Sequence, residues 1–312
     1  MLKKSINSTI SIVAIAIFGY LTYTLWAGLS DTLQAMSKLG IVGIVIILSL
    51  SLLNYGLRFL RWQWYLSMVN YQNLSVGRSL RYYFSGFAFT TTPGKAGEMV
   101  RSLFLKSHGV NYPQSLSMFF VERLSDLLAA LLLGSLFLWH FDKYQLWIIL
   151  PVLASFVLLI LIRHPNWFIH FQPSWQTNLP PRFAHLLDHL LELVLHSRTL
   201  LTYRFLFGGL ILSFLAWGAE GVSFYYILQT LGIDSTLLLA TGIYAMSLII
   251  GALSFLPGGL GGTEAAMLIM LTALGASHQD ALAATLICRF ATLWFAVALG
   301  ALAMMGLEIR EE

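Results

Sequence analysis

Two glutamates lie in glycine-rich runs inside an otherwise apolar chain. Glu98 belongs to TTTPGKAGEMVRSLFL, and Glu264 belongs to FLPGGLGGTEAAMLIML. In each run a Pro-Gly pair interrupts the apolar sequence shortly before the carboxylate. An ionisable side chain at bilayer depth is costly, so it usually has a partner and a function. The two glutamates are therefore candidates for proton or cation coupling, or for salt bridges to Arg123 and Arg289.

The chain restarts a helix after each Pro-Gly pair, and the first N–H groups of such a helix favour an anion. Glycine lets the backbone approach a ligand closely, so Gly94, Gly97, Gly258 and Gly261 are candidates for holding a lipid phosphate. Two alternative roles for the motifs remain open. The glutamate of each motif would cap its own helix, or the glycines would only permit close packing in a bilayer.

Further ionisable residues lie in the apolar run SLSMFFVERLSDLLAALLLG. Glu122 and Asp126 are four residues apart, so they share one face of a helix, and Arg123 lies beside them. Arg123 either neutralises the two acids or binds a lipid phosphate through two guanidinium nitrogens. The two carboxylates are candidates for coupling or gating.

Four more basic or acidic residues need a partner or a role. Arg289 has no acid within helical reach, which favours a ligand or Glu264 as its partner. Glu220, in LAWGAEGVSF, is a further candidate for coupling or gating. The run YGLRFLRWQWYL places Arg58 and Arg61 among aromatic residues, a pattern typical of a helix end anchored at the membrane interface. A gate that attracts anionic headgroups is the alternative.

The elements that position these residues are membrane helices. The chain has 312 residues and only 10% of them are charged, against roughly 25% in soluble domains. Because one span needs about 20 apolar residues, we predict an all-α polytopic membrane protein with a single domain over residues 1–312. About seven spanning helices are expected, near 9–29, 39–57, 116–139, 145–162, 205–229, 236–256 and 279–307.

Two shorter apolar segments flank the glycine motifs and predict two re-entrant hairpins. They comprise 82–92 with 99–105, and 264–275. Lys and Arg concentrate in 58–115 and 163–204, which the positive-inside rule places in the cytoplasm together with the N-terminus. The first hairpin then enters from the cytoplasm. The side from which the second hairpin enters stays open.

Rare residues recur between the two halves of the chain and indicate an internal repeat. A shift of 166 residues places Glu98 on Glu264, Gly109 on Gly275, Arg123 on Arg289 and Gly134 on Gly300. A shift of 164 residues places Pro93, Gly94 and Gly97 on Pro257, Gly258 and Gly261. The halves run over about 39–162 and 205–307. Transporters are commonly built from such repeats, with sites at broken helices between the halves.

The stretch between the halves and the single cysteine restrict the possible functions. Residues 163–203 form a hydrophilic loop in which 182–201 predicts an amphipathic helix on the cytoplasmic face. Its histidines favour a solvated polar face over a metal site. Cys288 excludes an intrachain disulfide and a multi-cysteine metal site, and fits a small buried hydrophobe. The sequence contains no P-loop, dinucleotide, zinc or serine-elbow motif, so we expect no cofactor, no metal, no nucleic acid and no ATP-driven step.

Four motifs, in order, resemble a known family. TTTPGKAGEMVRSLFL, VERLSDLLAALLLG, FLPGGLGGTEAAM and CRFATLWFAVALG are similar to the transmembrane region of lysylphosphatidylglycerol synthases and its stand-alone, flippase-like relatives, over about residues 40 to 306. The resemblance implies movement of phospholipid between leaflets. It also implies functional roles for Pro93, Gly94, Glu98, Arg101, Glu122, Arg123, Asp126, Gly258, Gly261, Glu264 and Arg289. The chain ends at Glu312 without the domain that attaches lysine in the fused synthases, so we expect no aminoacyl transfer.

The expected function is the flipping of an anionic lipid across a bacterial inner membrane without ATP, and we do not expect an enzyme. The lipid is a phospholipid or a polyprenyl phosphate. Arg101, Arg123 and Arg289 would bind it together with the hairpin glycines, while the acidic residues couple or gate. Two other classes stay open: a membrane enzyme acting on lipid headgroups, and an accessory protein that binds a lipid-modifying enzyme through 182–201. A homo-oligomer is also open.

Overall fold

The computed structural model of the protein is helical throughout the part of the chain that it describes. Within that part it contains α-helices, short 3₁₀ turns and one π-helical segment, and no β-strand. The predicted first span at 9–29 and most of the predicted amphipathic helix at 182–201 fall outside it. The described residues are 29–69, 71–140, 149–163, 166–181 and 202–307, with isolated positions at 19 and between 183 and 200.

The first half of the described chain places a broken hairpin between two long helices. Its elements are α1 (Leu29–Leu66), α2 (Val76–Ser85), a 3₁₀ turn (Gly86–Phe89), the first Pro-Gly turn (Pro93–Val100), α3 (Arg101–Lys106) and α4 (Tyr112–Trp139). Gly40 interrupts α1 with a φ of 63°, a conformation that glycine adopts readily. A capping box starts α4, where the Asn111 N–H donates to the Gln114 side chain at 3.0 Å.

α5 (Ile149–Arg163) ends the first half, and α6 (Asn166–Asn178) lies between the halves. The second half repeats the order of long helix, broken segment and long helix. Its elements are α7 (Tyr203–Thr230), α8 (Leu237–Leu253), the second Pro-Gly turn (Pro257–Gly259), α9 (Gly262–Ala273), α10 (His278–Arg289), a π-helical segment (Phe290–Trp294) and α11 (Phe295–Met304). Hydroxyl caps start α8 and α10. The Leu239 N–H donates to Thr236 at 3.2 Å, and the Asp280 N–H donates to Ser277 at 3.1 Å.

Fewer long apolar helices are present in the described chain than the seven predicted spans. Three are long and apolar enough to cross a bilayer: Thr32–Leu66, Tyr203–Thr230 and His278–Met304. The other predicted spans in this part fall short for identifiable reasons. α4 has 28 residues but carries three ionisable side chains, and α8 has 17 residues. The predicted span at 145–162 lies only partly within the described residues, which resume at 149. The number of spanning helices stays a prediction, since the predicted span at 9–29 lies outside the described residues.

The helices pack around an apolar core and leave an apolar outer surface. α4 lies against α8, and α1 lies against α7. Large apolar side chains stay exposed on the outside, as Ile41 does at 83% and Phe255 does at 80%. Such exposure is unusual for a soluble monomer, and it suits a surface in contact with lipid.

Glycines permit the closest helix contacts between the halves. Gly300 of α11 lies so close to the 3₁₀ turn (Gly86–Phe89) that an added Cβ would overlap the backbone of Ala88. Gly134 of α4 lies against α8, where an added Cβ would be 3.2 Å from the Ile249 side chain. Small residues of this kind let helix backbones approach in membrane proteins.

The contact between α8 and α4 gives a first testable prediction. Gly242→Ala is expected to destabilise the protein by about 1–3 kcal/mol, because its Cβ would overlap the backbone of Phe137, which cannot rotate away. Gly218→Ala is the matched control, since an added Cβ there meets nothing within 4 Å. Thermal unfolding in one detergent measures both variants. Equal unfolding midpoints for the two would contradict the packing described.

Candidate functional site

The two Pro-Gly turns lie against each other. A Cβ on Gly258 would be 3.2 Å from the Cα of Thr91, so the two backbones are in direct contact. Gly258 and Gly261 have φ values of 64° and 84°, which side chains rarely allow. The two motif glutamates are both buried: Glu98 is 1% exposed and Glu264 is 3% exposed. The chain thus brings the two separated motifs together.

Glu264 ties the second turn to two helices. Its Oε2 accepts the Gly261 N–H at 2.7 Å, so the glutamate caps the start of α9. Its Oε1 accepts a hydrogen bond from Arg289 Nε at 2.6 Å, and Arg289 Nη2 donates to the Gly258 carbonyl at 2.9 Å. The ion pair that the sequence offered as one role for Glu264 is therefore present.

Glu98 occupies the matching place in the first half but has more cations around it. Its Oε1 accepts a hydrogen bond from the Thr90 hydroxyl at 2.9 Å. Its Oε2 lies 3.6 Å from Arg123 and 3.9 Å from both Arg58 and Arg101. The ion pair expected between Glu98 and Arg123 is thus present, within a larger group of charges.

That group has two further carboxylates, both on α4. Asp126 lies 2.8 Å from Arg61, 3.0 Å from Arg123 and 3.9 Å from Arg58. Glu122 lies 2.8 Å from Arg101. We call the whole set the charge cluster, and it consists of Arg58, Arg61, Glu98, Arg101, Glu122, Arg123 and Asp126.

Arg58 and Arg61 correct an interpretation of the sequence. Their aromatic neighbours favoured an anchor at the membrane interface, and this was wrong, because the two residues are 4% and 0% exposed. Arg61 also donates a hydrogen bond to Ser213 of α7. The spacing of three residues, which puts both arginines on one face of an apolar helix, was the signal that could have placed them inside.

Aromatic rings hold several of the cations in place. The Arg101 guanidinium lies 4.5 Å from the ring centroid of Trp62. Arg58 and Lys95 lie 5.3 Å and 5.1 Å from the ring centroid of Trp217. These distances are typical of cation–π attraction. Lys95 and Trp217 were given no role from the sequence, although both lie beside predicted site residues.

Two of the four candidate glycines in the turns donate their N–H groups to the chain itself. The Gly97 N–H donates to the Thr92 hydroxyl at 2.6 Å, and a Cβ on Gly97 would lie 2.5 Å from that of Phe89. The Gly261 N–H donates to Glu264, as described above. Gly94 lies in the first turn. Glycine at 97 and 261 therefore serves close packing and capping in this structure.

A cavity of about 240 Å³ lies where the two turns meet. Its polar lining comes from both halves of the chain, whereas Arg101 and Glu122 are not part of the lining and pair with each other. Apolar side chains of α4, α8 and α11 complete its walls. The charged lining residues are Arg58, Lys95, Arg123, Asp126, Glu220 and Arg289.

Glu220 differs from the other carboxylates that were predicted to act. It is 3% exposed and accepts a hydrogen bond from the Tyr244 hydroxyl. No basic side chain in the described ranges forms an ion pair with it. Glu98, Asp126 and Glu264, by contrast, each form an ion pair with an arginine.

Among the described residues, neither a group of metal ligands nor the cysteine lines this cavity. Within the described ranges, no group of three or more His, Cys, Asp or Glu residues could hold a metal ion. Cys288 is 1% exposed and carries a free thiol, as the sequence predicted. The histidines at 185, 189 and 196 lie outside the described residues.

Comparison with known proteins places this architecture in context. The family model for the lysylphosphatidylglycerol synthase TM region matches residues 10–300. A UPF0104 membrane protein of Pyrococcus horikoshii is 24% identical over 307 residues, which cover 90% of this chain and 91% of that protein. A UPF0104 membrane protein of Methanothermobacter thermautotrophicus is 24% identical over 316 residues, which cover 93% of this chain and 90% of that protein.

Proposed function

Because this chain belongs to the lysylphosphatidylglycerol synthase transmembrane-region family and is an integral membrane protein, we propose that it moves an anionic lipid between leaflets without ATP. The observation that carries the proposal is the cavity where the two Pro-Gly turns meet, with four basic side chains in its lining. A phospholipid or a polyprenyl phosphate is the lipid. The protein acts in the plasma membrane with its N-terminus in the cytoplasm.

The architecture we propose has about seven spanning helices and two re-entrant hairpins in an internal two-fold repeat. The equivalent ion pairs Glu98–Arg123 and Glu264–Arg289 support it. The equivalent glycines Gly134 and Gly300 also support it, since each packs against the segment that precedes the Pro-Gly turn of the other half. Broken helices that meet between repeats are the usual place for a transport site.

Two arginines in the lining are suited to hold a lipid phosphate. Arg289 pairs with Glu264, and Arg123 pairs with Asp126 and Glu98. Guanidinium groups bind phosphate as well as they bind carboxylate, so an entering headgroup competes with these carboxylates. After the lipid leaves, the arginines return to their carboxylate partners. Glu98 and Glu264 thus reset the site, and the flip is a movement of one half against the other.

Arg123 offers the most direct test, because its side chain is 20% exposed while those of its neighbours are buried. Arg123→Gln is expected to slow the flipping of a labelled anionic phospholipid in reconstituted vesicles about tenfold or more. Lys38→Gln, at an exposed position outside the cavity, is the matched control and should flip the lipid at the wild-type rate. Wild-type rates for both variants would argue against a role for the cavity. Mass spectrometry of the recovered lipid separates transport, which leaves it unchanged, from headgroup chemistry.

A further inference from the structure

Arg58 is a buried cation with two nitrogens that lack a hydrogen-bond acceptor among the described residues. It is 4% exposed and lines the cavity, and its Nε and Nη2 find no hydrogen-bond partner in the described part of the chain. The nearest carboxylate oxygens, on Glu98 and Asp126, lie 3.9 Å from Nη2, which is too far for a hydrogen bond. Buried donors almost always have a hydrogen-bond acceptor. The cavity beside Arg58 is therefore suited to a ligand that carries an acceptor.

Trp217 adds a further buried donor to the same cavity, beside Nε and Nη2 of Arg123, which also find no hydrogen-bond partner among the described residues. The indole Nε1 is buried and finds no partner among the residues described, and the indole ring contacts both Arg58 and Lys95. Two positive charges held against one indole repel each other strongly in apolar surroundings. Lys95 has a φ of 56°, in the left-handed region that residues other than glycine rarely adopt. Such backbone strain is concentrated at functional sites.

The charges around the cavity do not balance. With Lys95 included, the charge cluster has five basic side chains and three carboxylates, an excess of two positive charges. Glu220 reduces this excess to one when it is ionised. Uncompensated charge in an apolar interior is costly, and a bound anion would neutralise it.

We propose that Arg58, Lys95 and the indole N–H of Trp217 form the binding site for the phosphate group of an amphiphile. This inference rests on the proposed transport function, and it adds three groups to Arg123 and Arg289 in the lining of the same cavity. The Arg58 guanidinium donates two hydrogen bonds, Trp217 donates one, and Lys95 supplies charge. The hydrocarbon part lies along the apolar lining, which includes Leu127, Ala130, Leu248, Ile249, Ala252 and Leu293.

The apolar lining argues for an amphiphile and against free phosphate. Inorganic phosphate would bind to the same donors, but it would leave the apolar wall of the cavity without a partner. A lipid phosphate fills both parts and gains additional free energy by burying its chains. The same tails without phosphate would lack the charge that the donors require.

Calorimetric titration of the purified protein in a phosphate-free detergent buffer tests the site. The ligands are short-chain phosphatidic acid, short-chain diacylglycerol and inorganic phosphate. Arg58→Gln and Lys95→Gln are expected to weaken binding of phosphatidic acid about 10- to 100-fold. Trp217→Phe keeps the ring and removes only the N–H, so a few-fold loss is expected. Arg58→Lys, which keeps the charge, gives an intermediate loss and controls for misfolding. Arg78→Gln, on an exposed face of α2, should bind as the wild type does.

Each outcome decides a separate point. The site is supported if phosphatidic acid binds more weakly to Arg58→Gln and Lys95→Gln but binds Arg78→Gln as it binds the wild type. Wild-type affinity in both Gln variants overturns it, and so does equal affinity for diacylglycerol. If inorganic phosphate binds as tightly as phosphatidic acid, the proposal that the ligand is an amphiphile is wrong. If the substitutions leave binding unchanged while vesicles with the wild-type protein still flip lipid, the binding site is wrong and the transport proposal is unaffected. If the substitutions weaken binding while no lipid is flipped, the transport proposal is wrong and the binding site is unaffected.

Discussion

Arg289→Gln is expected to lower the free energy of unfolding by about 3–5 kcal/mol and to abolish lipid flipping. The substitution leaves Glu264, which is 3% exposed, without the cation that lies 2.6 Å away. It also removes the hydrogen bond to the Gly258 carbonyl that holds the second turn. A buried charge without a partner is far more destabilising than the loss of an exposed ion pair. Thermal unfolding in detergent measures the first effect, and reconstituted vesicles measure the second.

The double variant E264Q/R289Q separates the two effects. Removing both charges leaves no uncompensated ion, so most of the lost stability should return. Flipping should stay absent, because the phosphate donor of the second half is still missing. A double variant that flips lipid at the wild-type rate would show that this pair only supports the fold.

Asp126→Asn is expected to produce the second large effect, again about 3–5 kcal/mol of lost stability. Asp126 has three arginines within 3.9 Å, and its removal leaves their positive charges to repel one another. Asp234→Asn, at an exposed position in the loop before α8, is the matched control and should unfold as the wild type does. The unfolding midpoint of each variant in the same detergent gives the comparison.

The Asp126 variant also reports on anion binding. Without this carboxylate the excess of positive charge grows by one, so a phosphate amphiphile should raise the unfolding midpoint of Asp126→Asn more than that of the wild type. Short-chain phosphatidic acid is the probe, and short-chain diacylglycerol is its uncharged counterpart. An equal shift with both lipids would mean that the cavity does not respond to charge.

The sequence indicated which motif residues correspond between the two halves. Matching rare residues aligned Glu98 with Glu264 and Arg123 with Arg289, and it left their ion pairs open as one of two roles. Both ion pairs are present, because a repeated backbone repeats its side-chain contacts. Among the described residues, apolar runs predicted the three helices that are long and apolar enough to span a bilayer, and the total number of spans stays a prediction. Contacts between distant segments, such as Arg61 with Ser213, could not be read from local patterns at all.

The hydrogen-bond donors at the cavity show a second limit of prediction from the sequence. Arg58 and Lys95 lie beside motifs that were singled out, but the aromatic neighbours of Arg58 and Arg61 fitted the rule for interfacial anchors equally well. Only the fold shows that α7 brings Trp217 against both Arg58 and Lys95. The left-handed backbone at Lys95 likewise depends on the surrounding turn, since lysine has no preference for it.

Transbilayer movement of lipid by the wild-type protein tests the central claim most directly. Purified protein is reconstituted into vesicles that carry a trace of fluorescent anionic lipid, and a membrane-impermeant quencher reports how much label reaches the outer leaflet. We predict that the quenched fraction exceeds one half within minutes and increases with the number of proteins per vesicle. In protein-free vesicles, quenching stops when the labelled lipid of the outer leaflet, about half of the total, is quenched. The same limit in vesicles with protein, for phospholipids and for polyprenyl phosphates, would contradict the proposed transport.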